Sequence, residues 1–212
     1  MAIKNPALVI FVKNPVLGSV KTRLASAIGD DAALEAYIMM LKHTRDISLE
    51  VDIERYLFYI NGIEDDDIWD SGTFHKMNQF GETLGDKMIS AFSYILTLHD
   101  AAIIIGSDCA ELTPEILNKA INGINRADAV IGPSYDGGYY LFGLKEFEKY
   151  FFTDIDWSTD EVFDQTMKKL KWRSKSVVIL DELNDVDTIN EWKLVEKDMK
   201  NKYGQGNSSE EE

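Results

Sequence analysis

Cysteine occurs once in the 212 residues, at Cys109, which excludes an internal disulfide. Histidine occurs three times, as His43, His75 and His99, in no spacing that suits a zinc site. No apolar run approaches the ~20 residues of a spanning helix, and no export-signal pattern opens the chain. These absences lead to the expectation of a soluble, cytoplasmic protein. Acids outnumber bases 37 to 22, and a formal net charge of −15 leaves no broad basic surface for nucleic acid or an anionic membrane. The most local absence is of acid itself: the first 29 residues hold Lys4, Lys13, Lys21 and Arg23 but no Asp or Glu.

That acid-free stretch contains the apolar run Ala7 to Val12, then Lys13-Asn-Pro-Val-Leu-Gly18-Ser-Val-Lys21-Thr-Arg23-Leu24. It reads as a strand, a glycine-containing loop and a helix start with cations at the turn. In an acidic chain such a loop suits a bound anion, phosphate above all; the plain alternative is a solvated basic turn. The loop has neither the Gly-x-x-x-x-Gly-Lys nor the Gly-x-Gly-x-x-Gly spacing of common phosphate-binding folds.

Beyond it, short β-branched runs alternate with longer amphipathic segments: Tyr56 to Ile60, Ala101 to Ile105, Ala129 to Ile131 and Val177 to Leu180. At 45% hydrophobic residues the chain can bury one sizeable core. The alternation predicts a single α/β domain, residues 1–203, built on a mostly parallel sheet with helices on both faces. Residues 204–212 are expected to be a flexible acidic tail. Leu84 to Leu98 should be a helix burying Leu84, Met88, Phe92, Ile95 and Leu96. Thr113-Pro114 marks one helix start, and Ser158-Thr-Asp-Glu161 has the spacing of a capping box. Glu64-Asp-Asp-Asp67 is expected to be a solvated loop or a helix start, with metal binding the lesser alternative because no other ligand spacing surrounds it.

Ligands of open parallel sheets sit beyond the carboxyl ends of the strands, which directs attention to three places. In the basic loop, Lys13, Lys21 and Arg23 could neutralise a polyphosphate while Gly18 admits its backbone neighbours close to the ligand. After Ile103-Ile-Ile-Gly106-Ser107 stands Asp108, placed to hold Mg²⁺ or Mn²⁺ against phosphates, or else to cap a helix. Neighbouring Cys109 is read as a small buried residue rather than a nucleophile. In Gly132-Pro133-Ser-Tyr-Asp136-Gly137-Gly138-Tyr139-Tyr140, the glycines admit a ligand against the main chain, or simply turn a hairpin. Asp187, before the last helix, is either a second metal ligand or a helix cap.

Six motifs in order resemble one known family: Lys13-x-Pro15-x-x-Gly18-x-Val20-Lys21-Thr22-Arg23-Leu24, Leu84-Gly85-x-x-Met88, Gly106-Ser107-Asp108-Cys109, Gly132-Pro133 with Asp136-Gly-Gly-Tyr-Tyr140, Trp157-Ser158-Thr159 and Asp185-Val-Asp187-Thr188. The family is the bacterial and archaeal group once listed as a domain of unknown function and now described as glycosyltransferases of the nucleotide-diphospho-sugar transferase type. Some members are named for arsenosugar biosynthesis, and the group is similar to the 2-phospholactate guanylyltransferases. The resemblance implies a GT-A fold, a Rossmann-like sheet whose first loop binds nucleotide phosphates. It implies Lys13, Lys21 and Arg23 as phosphate contacts, with Gly18 in their loop, and Asp108 and Asp187 as metal ligands. Asp136, Gly137 and Gly138 would border the acceptor. Three features depart from the family pattern: Ala110 replaces Pro, Asp86-Lys87 replaces Glu-Arg, and Asp108 stands without the Asp-x-Asp common in GT-A glycosyltransferases.

The expectation is a Mg²⁺- or Mn²⁺-dependent transferase, with Lys21 and Asp108 central to catalysis, acting on a nucleotide or nucleotide sugar and a small-molecule acceptor. The number of cations favours nucleotidyl transfer from a triphosphate, since leaving pyrophosphate must be neutralised. Glycosyl transfer from a nucleotide sugar is the alternative, with Asp136 or Asp156 as base, and a non-catalytic nucleotide-binding regulator is the third reading.

Overall fold

The computed structural model describes residues 6–204. Lys4 and the tail from residue 205 onward lie outside the described residues. Among the described residues, seven strands form one sheet: β1 (Pro6–Val12), β2 (Glu54–Tyr59), β3 (Phe74–Asn78), β4 (Ala101–Ile105), β5 (Ala129–Pro133), β6 (Tyr139–Leu144) and β7 (Val177–Ile179). Their order is β3-β2-β1-β4-β6-β5-β7, and only β6 runs antiparallel to its neighbours. The helices are α1 (Thr22–Ile28), α2 (Asp30–Leu49), α3 (Leu84–Ile95), α4 (Pro114–Arg126), α5 (Val162–Trp172) and α6 (Ile189–Tyr203).

The alternation along β1 sorts the core into two layers. Leu8, Ile10 and Val12 face a cluster with Tyr37 and Met40 of α2, Leu117 of α4 and Trp192 of α6. Ala7 and Val9 face the opposite cluster, with Met88 and Phe92 of α3 and Leu170 of α5. Because β4 lies between covered faces, all five of its residues are buried, as its unbroken apolar sequence requires. The predicted parallel sheet with helices on both faces is thus found. Among the described residues no helix is long and apolar enough to cross a membrane.

The chain leaves β1 toward β2 and β3 on one side and resumes at β4 on the other. The sheet therefore reverses its strand order between β1 and β4, and a crevice opens outside their carboxyl ends.

Four local expectations are corrected. Leu84, expected on the buried face of α3, is 44% exposed and lines the crevice instead. Strand β3, Phe-His-Lys-Met-Asn, was not foreseen; it pairs only with β2 at the sheet edge, where half-exposed polar residues are tolerated. The box Ser158 to Glu161 does not cap α5, which starts at Val162 after Glu161 with no side-chain cap. The Phe163 amide instead donates to the Gly137 carbonyl at 2.9 Å, so the β5–β6 turn caps this helix. In Glu64 to Asp67 the first three acids are exposed, but Asp67 is drawn inward by Tyr59, the Trp69 amide and Lys76 at 2.8 Å.

Candidate active site

The crevice between β1 and β4 is a cavity of about 560 Å³. Lys13, Lys21 and Arg23 enter it from the β1–α1 segment, Ser107 and Asp108 from the end of β4, and Asp185 and Asp187 from the segment before α6. Phe11, Gln79, Ile104 and Tyr139, with Leu84, Lys87 and Met88 of α3, also line it. One end of the cleft is charged and the other largely apolar.

At the charged end, the Lys21 ammonium lies 3.0 Å from Asp108 Oδ2 and 3.0 Å from Asp187 Oδ1. Its side chain is only 6% exposed, whereas Asp108 and Asp187 are 38% and 47% exposed. The Lys21 backbone is in the left-handed region, φ 47°, which is uncommon for a residue with a Cβ. Arg23, on the outer side, reaches Asp187 Oδ2 at 3.5 Å. Burial opposes the Lys21 charge, yet the two carboxylates outweigh it and hold the ammonium's pKa above its ordinary value. Burial likewise opposes the Asp108 charge, but Lys21 and, farther off, Lys13 hold that carboxyl below its ordinary value.

Local geometry explains why Asp108 can sit there. A Cβ on Gly106 would come within 2.7 Å of Asp108 Oδ1, so a side chain there would push the carboxylate from the position it holds over the strand end. The Asp108 carbonyl accepts from the Val186 amide at 2.9 Å, tying the β4 loop to the segment that carries Asp187. Asp187 does not cap α6; Thr188 does, in a capping box with Glu191. Asp187 is thereby left to face Lys21.

Tyr37 of α2 and Asp185 were not anticipated as site residues. The Tyr37 hydroxyl lies 3.1 Å from both the amide and the carbonyl of Lys13 and 3.3 Å from Ser107 Oγ. It thus joins the two loops that form the crevice, a relation with no local signature in sequence. Asp185 was visible only as part of a motif. Its Oδ1 is buried without a hydrogen-bond partner, and burial, then the Asp108 charge, pushes its carboxyl well above the ordinary range.

Other predicted residues do not line the cavity, although the Asp136 charge reaches Asp185 in its wall. Gly18, φ 72°, turns the exposed loop before Val20. Helix α1 has only seven residues, so the charge at this end comes from side chains rather than a helix dipole. Asp136, Gly137 and Gly138 form the β5–β6 hairpin turn; Asp136 Oδ1 accepts from Ser134 and from the Gly138 amide. Gly137, φ 84°, leaves room for the Asp160 backbone, with which any Cβ there would collide. What Gly137 admits is the protein's own chain. Cys109 is 4% exposed, with its thiol pushed up by burial, which agrees with its reading as a core residue.

The model of a family described as uncharacterized proteins conserved in bacteria (DUF2064) matches residues 44–159. The chain belongs to the DUF2064 family. A structural relative, a candidate nucleotide-diphospho-sugar transferase from Desulfovibrio desulfuricans G20, is 30% identical and superposes with a TM-score of 0.82 over 96% of this chain and 89% of its own. The DUF2064 match begins beyond the basic loop. The fold is also that of the inositol-1-phosphate CTP transferase from T. maritima, 14% identical, TM-score 0.57, covering 94% of this chain and 98% of that one. Rv0371c from Mycobacterium tuberculosis H37Rv, in complex with manganese, is 13% identical with a TM-score of 0.53, covering 92% of this chain and 98% of its own. No curated protein matches the chain in sequence. The nucleotide-diphospho-sugar transferase fold expected from the motifs is therefore the fold of this chain.

Proposed function

We propose that this DUF2064 protein is a divalent-cation-dependent nucleotidyltransferase that joins a nucleoside triphosphate to a phosphorylated small-molecule acceptor. The observation that carries the reading is the convergence of Lys13, Lys21 and Arg23 with Asp108 and Asp187 at the β1–β4 crevice. The inositol-1-phosphate CTP transferase of the same fold is named for this class of reaction.

The donor set suits Mg²⁺ or Mn²⁺. Two carboxylate oxygens converge on one ammonium, a cation already in the place a metal would take. Among the described residues no three acid, His or Cys side chains form a fuller cage. Two carboxylates, completed by phosphate oxygens and water, are the customary protein share of a Mg²⁺ site. A cation bound there would neutralise phosphate charge as it builds on the leaving group.

The protein's own part is positioning and electrostatics. An acceptor phosphate oxygen forms a bond to the α-phosphorus, the bond from that phosphorus to the β-phosphate oxygen breaks, and pyrophosphate leaves with the electron pair. The acceptor phosphate is already ionised, so no side-chain base is needed. Lys13, Lys21 and Arg23 supply positive charge for the pyrophosphate. The wall of Phe11, Leu84 and Met88, edged by Gln79 and Lys87, suits the planar base.

Glycosyl transfer is the second reading, favoured by the description of the Desulfovibrio relative. Its candidate bases are already hydrogen-bonded within the protein. Asp136 is engaged in the hairpin turn and Asp156 accepts from Gln165 at 2.7 Å, and neither lines the cleft.

Thermal unfolding against nucleoside triphosphates and nucleotide sugars, each with Mg²⁺, Mn²⁺ or EDTA, tests the assignment. A metal-dependent rise with one triphosphate is expected, followed by pyrophosphate release on mixing with phosphorylated acceptors. A rise confined to nucleotide sugars would replace the proposal by glycosyl transfer. Binding without turnover across a broad acceptor panel would favour a regulator.

A further inference from the structure

We infer that Lys21 is the resident counter-ion of the Asp108–Asp187 pair and that it gives up this position only to a polyphosphate, so that cation and nucleotide bind as a pair. The inference rests on the proposed role of Asp108 and Asp187 as cation ligands.

The geometry makes the position exclusive. Lys21 Nζ sits 3.0 Å from an oxygen of each carboxylate, with the side chain almost wholly buried. Lys21 must withdraw before the same two oxygens can close on a divalent cation, because two positive centres would otherwise share one contact distance. Withdrawal alone is unfavourable, since it leaves two carboxylates facing each other and a buried ammonium without its partners. A polyphosphate in the cleft changes the balance by offering the ammonium new acceptors.

The mobile part is the side chain. The backbone at Lys21 is fixed in its left-handed conformation, φ 47°, at the start of α1. The ammonium has three N–H donors, of which two are committed to Asp108 and Asp187. That leaves one N–H donor uncommitted among the described residues, and Lys21 lines the cleft together with Lys13 and Arg23. A phosphate arriving there can engage Lys21 before the carboxylates release it, which gives the exchange a path. Reciprocity then requires that the cation strengthen polyphosphate binding by the factor by which polyphosphate strengthens cation binding.

The test reads Mn²⁺ binding by electron paramagnetic resonance, so no substrate need be known. Wild type, Lys21→Met and Lys21→Gln are titrated with Mn²⁺ alone, after thermal unfolding has shown which variants are folded. Removing the resident ammonium is expected to tighten Mn²⁺ binding by about tenfold or more. Adding Asp108→Asn to either variant should abolish that gain. In wild type, inorganic pyrophosphate is expected to increase the protein-bound Mn²⁺ seen by water-proton relaxation, and in the Lys21 variants this coupling should be lost. Equal or weaker Mn²⁺ binding by both Lys21 variants would overturn the inference while leaving the cation site intact, as would a wild-type signal indifferent to pyrophosphate. Absence of Mn²⁺ binding in every protein, with and without pyrophosphate, would remove the cation site itself and with it the metal dependence proposed above.

Discussion

Replacing Asp185 with Asn should stabilise the metal-free protein at neutral pH, although the residue lies in the cleft wall. Asp185 Oδ1 is buried and has no partner, and Asp108, Asp136 and Asp187 all oppose its ionisation. With its carboxyl held above the ordinary range, the folded chain binds this proton more tightly than the unfolded chain does. The group therefore favours folding below the unfolded pKa of about 3.9, and that contribution is lost as pH rises toward and through the folded value. Asn keeps the shape, removes the titration, and brings an amide donor among carboxylate acceptors. Relief of one buried unsatisfied group is of order 1–3 kcal/mol, which at this chain length is about 2–4 °C in Tm per kcal/mol. Thermal unfolding in EDTA should show Asp185→Asn above wild type at pH 7.5, with the gap closing by pH 4. A variant less stable than wild type at pH 7.5, or a difference that does not change with pH, would refute the account of Asp185 as a strained acid.

Tyr37→Phe should cost about 1–2 kcal/mol in urea unfolding through the lost Lys13 and Ser107 contacts, and should also weaken pyrophosphate binding. If stability falls while pyrophosphate affinity is unchanged, Tyr37 is merely structural. Gly137→Ala combines a left-handed backbone with collision against the Asp160 backbone and should lower stability by more than about 1 kcal/mol; a neutral result would return this glycine to the ligand. Ser19→Asp, at an exposed position, should leave stability within about 0.5 kcal/mol while weakening pyrophosphate binding, read by titration calorimetry. Wild-type affinity in that variant would mean that the missing acids of this loop serve no electrostatic purpose.

How far the sequence could be read depended on the range of the interactions involved. Strands β1 and β4 were legible because each is buried on both faces and so must be apolar throughout. Helix α3 showed itself by its spacing, and α4 by Thr113 and Pro114. Strand β3 carries no such mark, since only Phe74 is buried among its five residues. The start of α5 was misplaced because its cap, the Gly137 carbonyl, comes from a distant turn that supplants a locally plausible box. At the site, residue type pointed to Lys21, Asp108 and Asp187, but not to their mutual pairing. The Asp136-Gly-Gly turn is ambiguous for the opposite reason: glycines that admit a ligand and glycines that admit a neighbouring chain have the same local signature.

The acid-free opening of the chain acquires a physical reason from the pairings that are found. Lys21 meets Asp108 across 87 positions of sequence and Asp187 across 166. Each contact requires the sheet to be assembled, whereas a carboxylate within the β1–α1 loop would be in reach at almost no loop-closure cost. A local acid would therefore compete for Lys21 and Arg23 both before folding is complete and afterwards. Keeping acids out of the loop reserves its cations for partners that arrive from β4 and from the segment before α6. Those carboxylates are 38% and 47% exposed and face a cleft, so the pairing is accessible to exchange rather than sealed in the core. An ordinary structural ion pair would gain nothing from such segregation, since a local partner would satisfy the cation equally well. A loop whose cations pass to a bound polyphosphate, as proposed above, would need it.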